Sequence, residues 1–324
     1  MIIYYFIILI VPFLNPLPSK QIAVKKQTFI KYHEQVNKAE TLLGEEKFKE
    51  ALAEYEKIID SYDFVFLREY KIVSQLALHL GEEENAFHYI QKGISSGWEF
   101  KELKRNEFLK PLHRLSQWKS LARDYEKLHK EYLHGLNHSI KDEVEVMFKR
   151  DQAMALGALL RFGDKAQVKY AEKKFAPHSE VQMEKLIQLL ETHGYPGEQL
   201  IGNNFWASTI ISHHNSISQE YGNRDTLYRY LRPNLFLAID KSQISPYELA
   251  LMDDWKIATG SSEPGYGFLN SPTQSTLSQI NKLRAAVGLR SVELRNKLIE
   301  VEQKTGLNFY LPAWVKGKIV IEQG

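Results

Sequence analysis

The chain has 324 residues, 44% of them hydrophobic, and sets 42 Lys and Arg against 40 Asp and Glu for a formal net charge of +2. That length and apolar content support two domains, each with its own core, and interspersed charge of both signs offers no basic face to a nucleic-acid backbone. The cysteine count is zero, which excludes disulfides, thiolate metal sites, thiol catalysis and lipid attachment to an N-terminal cysteine.

The chain opens with MIIYYFIILIVPFLNPLPSKQ, where residues 2–14 are almost wholly apolar and Asn15, Pro16 and Pro18 stop any helix. The run falls short of the about 20 residues a spanning helix needs and matches the apolar core of a secretory signal. No Lys or Arg precedes it, and the cleavage site after Ser19 is weak, so an uncleaved anchor in the inner membrane is the competing reading. The expectation is an exported bacterial protein, periplasmic or extracellular, with residues 1–19 as signal or anchor. The membrane is then met only through an uncleaved start.

From Gln27 to Pro111 the sequence is rich in Glu, Lys, Leu, Ala and Tyr and free of proline, which reads as helix. Two stretches, GEEKFKEALAEYEKII (44–59) and GEEENAFHYIQKGI (81–94), each open on Gly-Glu-Glu and run into a helix. Ala51, Tyr55 and Ile58 correspond to Ala86, Ile90 and Gly93 at a period of 35 residues. Small residues at such positions let antiparallel helices approach closely. These segments resemble the tetratricopeptide repeat, whose helix-turn-helix unit is about 34 residues long. The next stretch, GWEFKELKRNEFLKPLHRLSQWKSL, reads as a degenerate third unit or cap with Trp98 and Trp118 as packing anchors. The resemblance implies a stacked module over residues 20–140 with a concave face for a protein or peptide partner. His129, His134 and His138 follow on a charged helix, at spacings that do not bring all three to one side; no metal site is read there.

The second module, residues 141–324, carries helices over 142–162, from an N-cap at Ser179 to Gly194, and over 203–220. A further helix is interrupted at Pro233, and another starts on the capping sequence Ser245-Pro246-Tyr247-Glu248 and ends near Gly260. Helices over 273–287 and 291–304 follow, and 308–322 suits a short β-hairpin. The fold class is mainly α throughout: tetratricopeptide-like hairpins, then a second all-helical domain.

Placed at 100° per residue, four ionisable residues fall on apolar stripes. Asp151 sits among Val144, Met147, Phe148 and Met154; His213 among Phe205, Trp206, Ile210 and Ile217; Asp254 among Tyr247, Leu251 and Ile257; Arg284 among Leu277, Ile280 and Val287. His214 flanks its stripe, so His213 is expected to face inward and His214 to sit at the rim. An unpaired buried charge costs several kcal/mol, so these groups must find partners or line a wet cavity. Two carboxylates, a guanidinium and an imidazole neutralise one another if they converge, and a convergent polar cluster in an apolar module marks a ligand site. A purely structural network fits the same pattern. No two of these residues share a metal-ligand spacing, and no metal or cofactor is expected.

The second module also resembles an uncharacterised bacterial domain over roughly 151–298. The resemblance rests on Asp151-Gln152, HGYPGEQLIG, SHHN around His213, ALMDD ending at Asp254, GYG at 265–267 and NKLRAAVGL. It implies ligand-binding candidates Asp151, Gln152, His213, Asp254, Tyr266 and Arg284, and brings no activity with it. Where that domain reads Gln-Tyr-Gly-Thr-Gln this chain has Gly265, Phe268 and Leu269 in place of the amides and threonine, and Trp255 stands where an arginine follows the aspartate. No phosphate loop, Gly-x-Ser-x-Gly elbow or His-Glu-x-x-His motif is present. Three functions follow: a binding or scaffold protein with a small-ligand or partner site in its second domain, a hydrolase with His213 as base and Asp151 or Asp254 orienting it, or a purely structural helical protein.

Overall fold

The computed structural model describes residues 29–312 and 317–323; the apolar start expected as signal or anchor lies outside them. The first module is built from two helical hairpins, α1 (Phe29–Gly44) with α2 (Phe48–Ser61) and α3 (Leu67–His79) with α4 (Glu83–Ile94). In α1 the residues at helical spacing, Tyr32, Val36, Ala39 and Leu43, are buried. The repeated small residues Ala51 and Ala86 are fully buried, as close helix crossing requires. At Gly93 a Cβ would stand 2.9 Å from the ring of Trp98, so the indole packs directly on the backbone there. The short α5 (Phe100–Arg105), a 3₁₀ turn (Lys110–Arg114) and α6 (Ser116–Gly135) close the stack. Trp118 stacks against Phe100 at 5.9 Å. His134 and His138 are exposed, while His129 lies between the rings of Tyr125 and Tyr132.

The second module is all-helical as well: α7 (His138–Leu159), α8 (Asp164–Tyr170), a π-helical turn (Ala171–Phe175), α9 (Ala176–His193), α10 (Glu198–Ile201), α11 (Trp206–Asn215), α12 (Gln219–Arg224), α13 (Leu227–Asp240), α14 (Pro246–Gly260), α15 (Leu277–Ala286) and α16 (Val292–Thr305). The short α11 is its axis, with Ile210 and Ile211 buried in the core formed with Met147, Met183 and Met252. The capping box at Ser245 forms as expected, Ser245 Oγ accepting from the Glu248 N–H and Glu248 reaching back to the Ser245 N–H. No helix among the described residues is long and apolar enough to cross a membrane.

Several expectations are corrected. Ser179 is no cap: the π turn feeds into α9 three residues earlier, and Ser179 is buried inside the helix. The helix expected over 203–220 is two, broken before Ser218, whose Oγ accepts from the Tyr221 N–H. Pro233 does not interrupt α13. No hairpin forms among the described residues of 308–322; Glu322 instead makes an isolated parallel bridge to Thr273. Leu298 and Val301 of α16, with Leu307 and Phe309 beyond it, lie in the first module's core, because the first module leaves its inner apolar face open and this segment covers it.

Candidate functional site

The two modules meet on a buried charge network. Glu40, on the inner face of α1, accepts from Arg68 Nη2 at 2.6 Å and from Arg290 through both Nη2, at 2.7 Å, and Nε. Burial alone would raise this carboxyl, but Arg290 and Arg68 hold it below the usual range. Arg68 also donates from Nε to the Phe309 carbonyl at 3.0 Å. Gln75 clasps Asn308 on both sides, donating to its carbonyl at 2.8 Å and accepting from its N–H at 3.1 Å. The irregular segment 307–312 thus occupies the inner face of the hairpins, where the sequence suggested an open surface for a peptide partner.

Beside this network lies a cavity of about 610 Å³. His33 and Val36 of α1 and Phe66, Arg68, Glu69 and Lys71 at the start of α3 form one wall. Glu198, Ser208, Ser212 and His213 form the second, and Tyr247, Glu248, Leu251 and Trp255 of α14 the third, with Arg290 and Tyr310 closing the end. Glu198, at the start of α10, accepts from the Leu67 N–H through Oε1 at 2.6 Å, joining the modules across the cavity. Burial, with Glu69 and Glu248 nearby, raises its carboxyl to about 8. Burial likewise raises Glu69 and Glu248, and lowers the His33 imidazole to about 3.

The six residues singled out in the sequence divide into two sets, and no hydrogen bond between described residues joins them. In the first, His213 Nδ1 contacts Asp151 Oδ2 at 2.6 Å. Asp151 is fully buried, and its Oδ1 has no partner among the described residues. Gln152 is half-buried beside it and does not line the cavity. In the second set, Asp254 accepts from the N–H groups of Tyr266 at 2.6 Å and Phe268 at 2.8 Å. Burial raises this carboxyl to about 6. Arg284, fully buried, donates from Nη1 to the Tyr266 carbonyl at 2.7 Å and from Nε to the Arg290 carbonyl at 2.6 Å, with its guanidinium 4.8 Å from the centre of the Phe268 ring. Burial and the nearby Arg290 and Arg295 lower it to about 9. This second set pins the loop 261–272. At Gly265, with φ 53°, a Cβ would stand 2.2 Å from Asp254 Oδ1, so the glycine that departs from the resembled motif is what lets the clamp close.

The histidine pair is the reverse of the expectation. His213 is 28% exposed at the cavity, whereas His214 is buried between Ser179 Oγ at 2.9 Å and Asp225 Oδ1 at 3.2 Å. Helix α11 is enclosed by α7, α9 and α14, so both faces are interior and the apolar stripe does not decide between them. Burial would raise Asp225, but its bonds to His214 and Lys256 hold it below the usual range. Sequence reasoning missed Glu40, Glu69, Glu198, Glu248 and Arg290. Glu40 carries the same signal as Asp151, a carboxylate on a helix stripe with Val36, Ala39 and Leu43.

Comparison with protein-family models, with curated proteins and with solved structures finds no match to this chain.

Proposed function

We propose that this is an exported binding protein, built on tetratricopeptide-like hairpins, that holds a small organic ligand in the cavity between its two modules. The observation that carries this reading is the cavity itself: about 610 Å³, walled by both modules, with apolar surface and a few ionisable groups converging on it. A site of a few hundred Å³, mostly apolar with some placed polar groups, is the usual form of a small-molecule site. The hairpins' inner face, filled by residues 307–312, contributes to this site rather than to a separate peptide groove.

A hydrolytic activity is the second reading, and one contact favours it. A carboxylate on Nδ1 fixes the tautomer of His213 and stabilises its imidazolium, which suits the ring to act as a general base. Asp151 fills that place at 2.6 Å, with the ring edge open to the cavity. Asp254, occupied in the loop clamp, has no part in it. A thermal-shift screen of a metabolite and ester library against wild type and His213→Ala tests both readings. Stabilising compounds that bind both forms support the binding protein, while turnover that disappears in the variant supports the hydrolase. If no compound shifts either form, the cavity reading fails.

A further inference from the structure

The charges around the cavity do not balance. Its cations are already engaged: Arg68 with Glu40 and the Phe309 carbonyl, Arg290 with Glu40, and Lys71 with Glu102 at 2.8 Å. Two of its carboxyls are less well met, whereas Glu248 accepts from Ser245 and Tyr195. Glu198 has a single backbone donor and no salt bridge among the described residues. Glu69 is 4% exposed and shares the Arg68 guanidinium with Glu40, meeting it at 3.3 Å through Oε1, while its Oε2 has no geometric hydrogen-bond partner among the described residues. A buried carboxylate without a cation is costly, so such groups stay protonated or wait for a positive charge. Facing them are Phe66, Tyr247, Trp255 and Tyr310. Aromatic faces attract cations, and the Tyr310 ring already carries the Lys71 ammonium 5.1 Å from its centre.

We infer that the cavity receives a small organic ammonium ion with an apolar body, its charge met by Glu69 and Glu198 and its body by the aromatic walls. This rests on the cavity reading above and adds the sign of the ligand. The raised carboxyls of Glu69 and Glu198 are what an anionic site without its counter-ion displays. A carboxylate ligand would find no cation to meet it, since among the described residues each Arg and Lys of the wall already has a partner carboxylate.

The test is calorimetric titration of the full chain with three matched series: primary alkyl- and arylalkyl-ammonium ions, the corresponding alcohols and the corresponding carboxylates. The ammonium ions are expected to bind at least tenfold more tightly than the alcohols, with no measurable binding of the carboxylates. Glu198→Gln keeps the acceptor for the Leu67 N–H while removing the charge. It should lose at least tenfold in ammonium affinity with alcohol affinity unchanged, which also shows that the variant is folded. Alcohols or carboxylates binding as tightly as the ammonium ions overturn the inference and leave the cavity reading standing. Tight ammonium binding that Glu198→Gln and Glu69→Gln both leave unchanged overturns it too. No binding in any series overturns both.

Discussion

Glu198→Gln also probes stability, because it changes one half-buried carboxyl without disturbing the cavity's shape. In the folded chain the carboxyl is raised from 4.5 to about 8. Between those values the native state keeps a proton that the unfolded chain has released, so stability falls as pH rises through the window and levels off above it. The full rise corresponds to about 5 kcal/mol. Water entering the cavity reduces this, and about 2 to 3 kcal/mol is expected. Glutamine never ionises. Relative to wild type the variant should therefore be near neutral at pH 4.5 and gain about 2 to 3 kcal/mol by pH 9. Urea unfolding of both proteins at pH 4.5, 6, 7.5 and 9 measures it, and the carboxyls that do not interact with Glu198 cancel in the difference between the two. A difference that is constant with pH, or that favours wild type at pH 9, would refute the account of Glu198 as a carboxyl held neutral by burial.

Two further outcomes follow from the geometry. His213→Ala leaves Asp151 buried with neither oxygen partnered, since Oδ1 is already without one; the expected cost is about 2 to 4 kcal/mol by chemical denaturation. Adding Asp151→Asn should recover part of it, and a double variant less stable than His213→Ala alone would contradict the pairing. Phe309→Ala removes a ring that is 1% exposed in the first module's core, at about 3 to 5 kcal/mol. Hydrogen exchange should speed in α1 and α3; a loss confined to the last residues would mean that segment 307–312 does not complete the first core.

What the sequence made legible is what local chemistry determines. The capping box at Ser245 depends on residues three apart and forms as read, and Ala51 and Ala86, small residues in helices, are fully buried. The burial of Asp151, Asp254 and Arg284 was legible too, because each sits on the apolar stripe of a single helix, and they are 0%, 2% and 0% exposed. Their convergence was not. A stripe states that a residue faces an interior, and says nothing about which neighbour is met there. Asp254 and Arg284 meet at Tyr266, while Asp151 meets His213 elsewhere.

The cavity lies further from local reading, because its walls join residues as distant as His33 and Tyr310. Glu198 shows why. In sequence it is an ordinary acidic residue opening a four-residue helix, exposed by any periodicity argument. It becomes a half-buried carboxyl where the start of α3 docks against it, bringing the Leu67 N–H within 2.6 Å. The group that gives the cavity its character is thus made by the docking of the modules, and a change that loosened the seam should return it to an ordinary glutamate. Arg290→Met is such a change. It removes two of the donors that hold Glu40 across the seam while keeping most of the apolar stem. It should therefore weaken the part of the pH dependence that Glu198→Gln removes, whereas an undiminished contribution would show that docking of α3 on Glu198 does not need the network at Glu40.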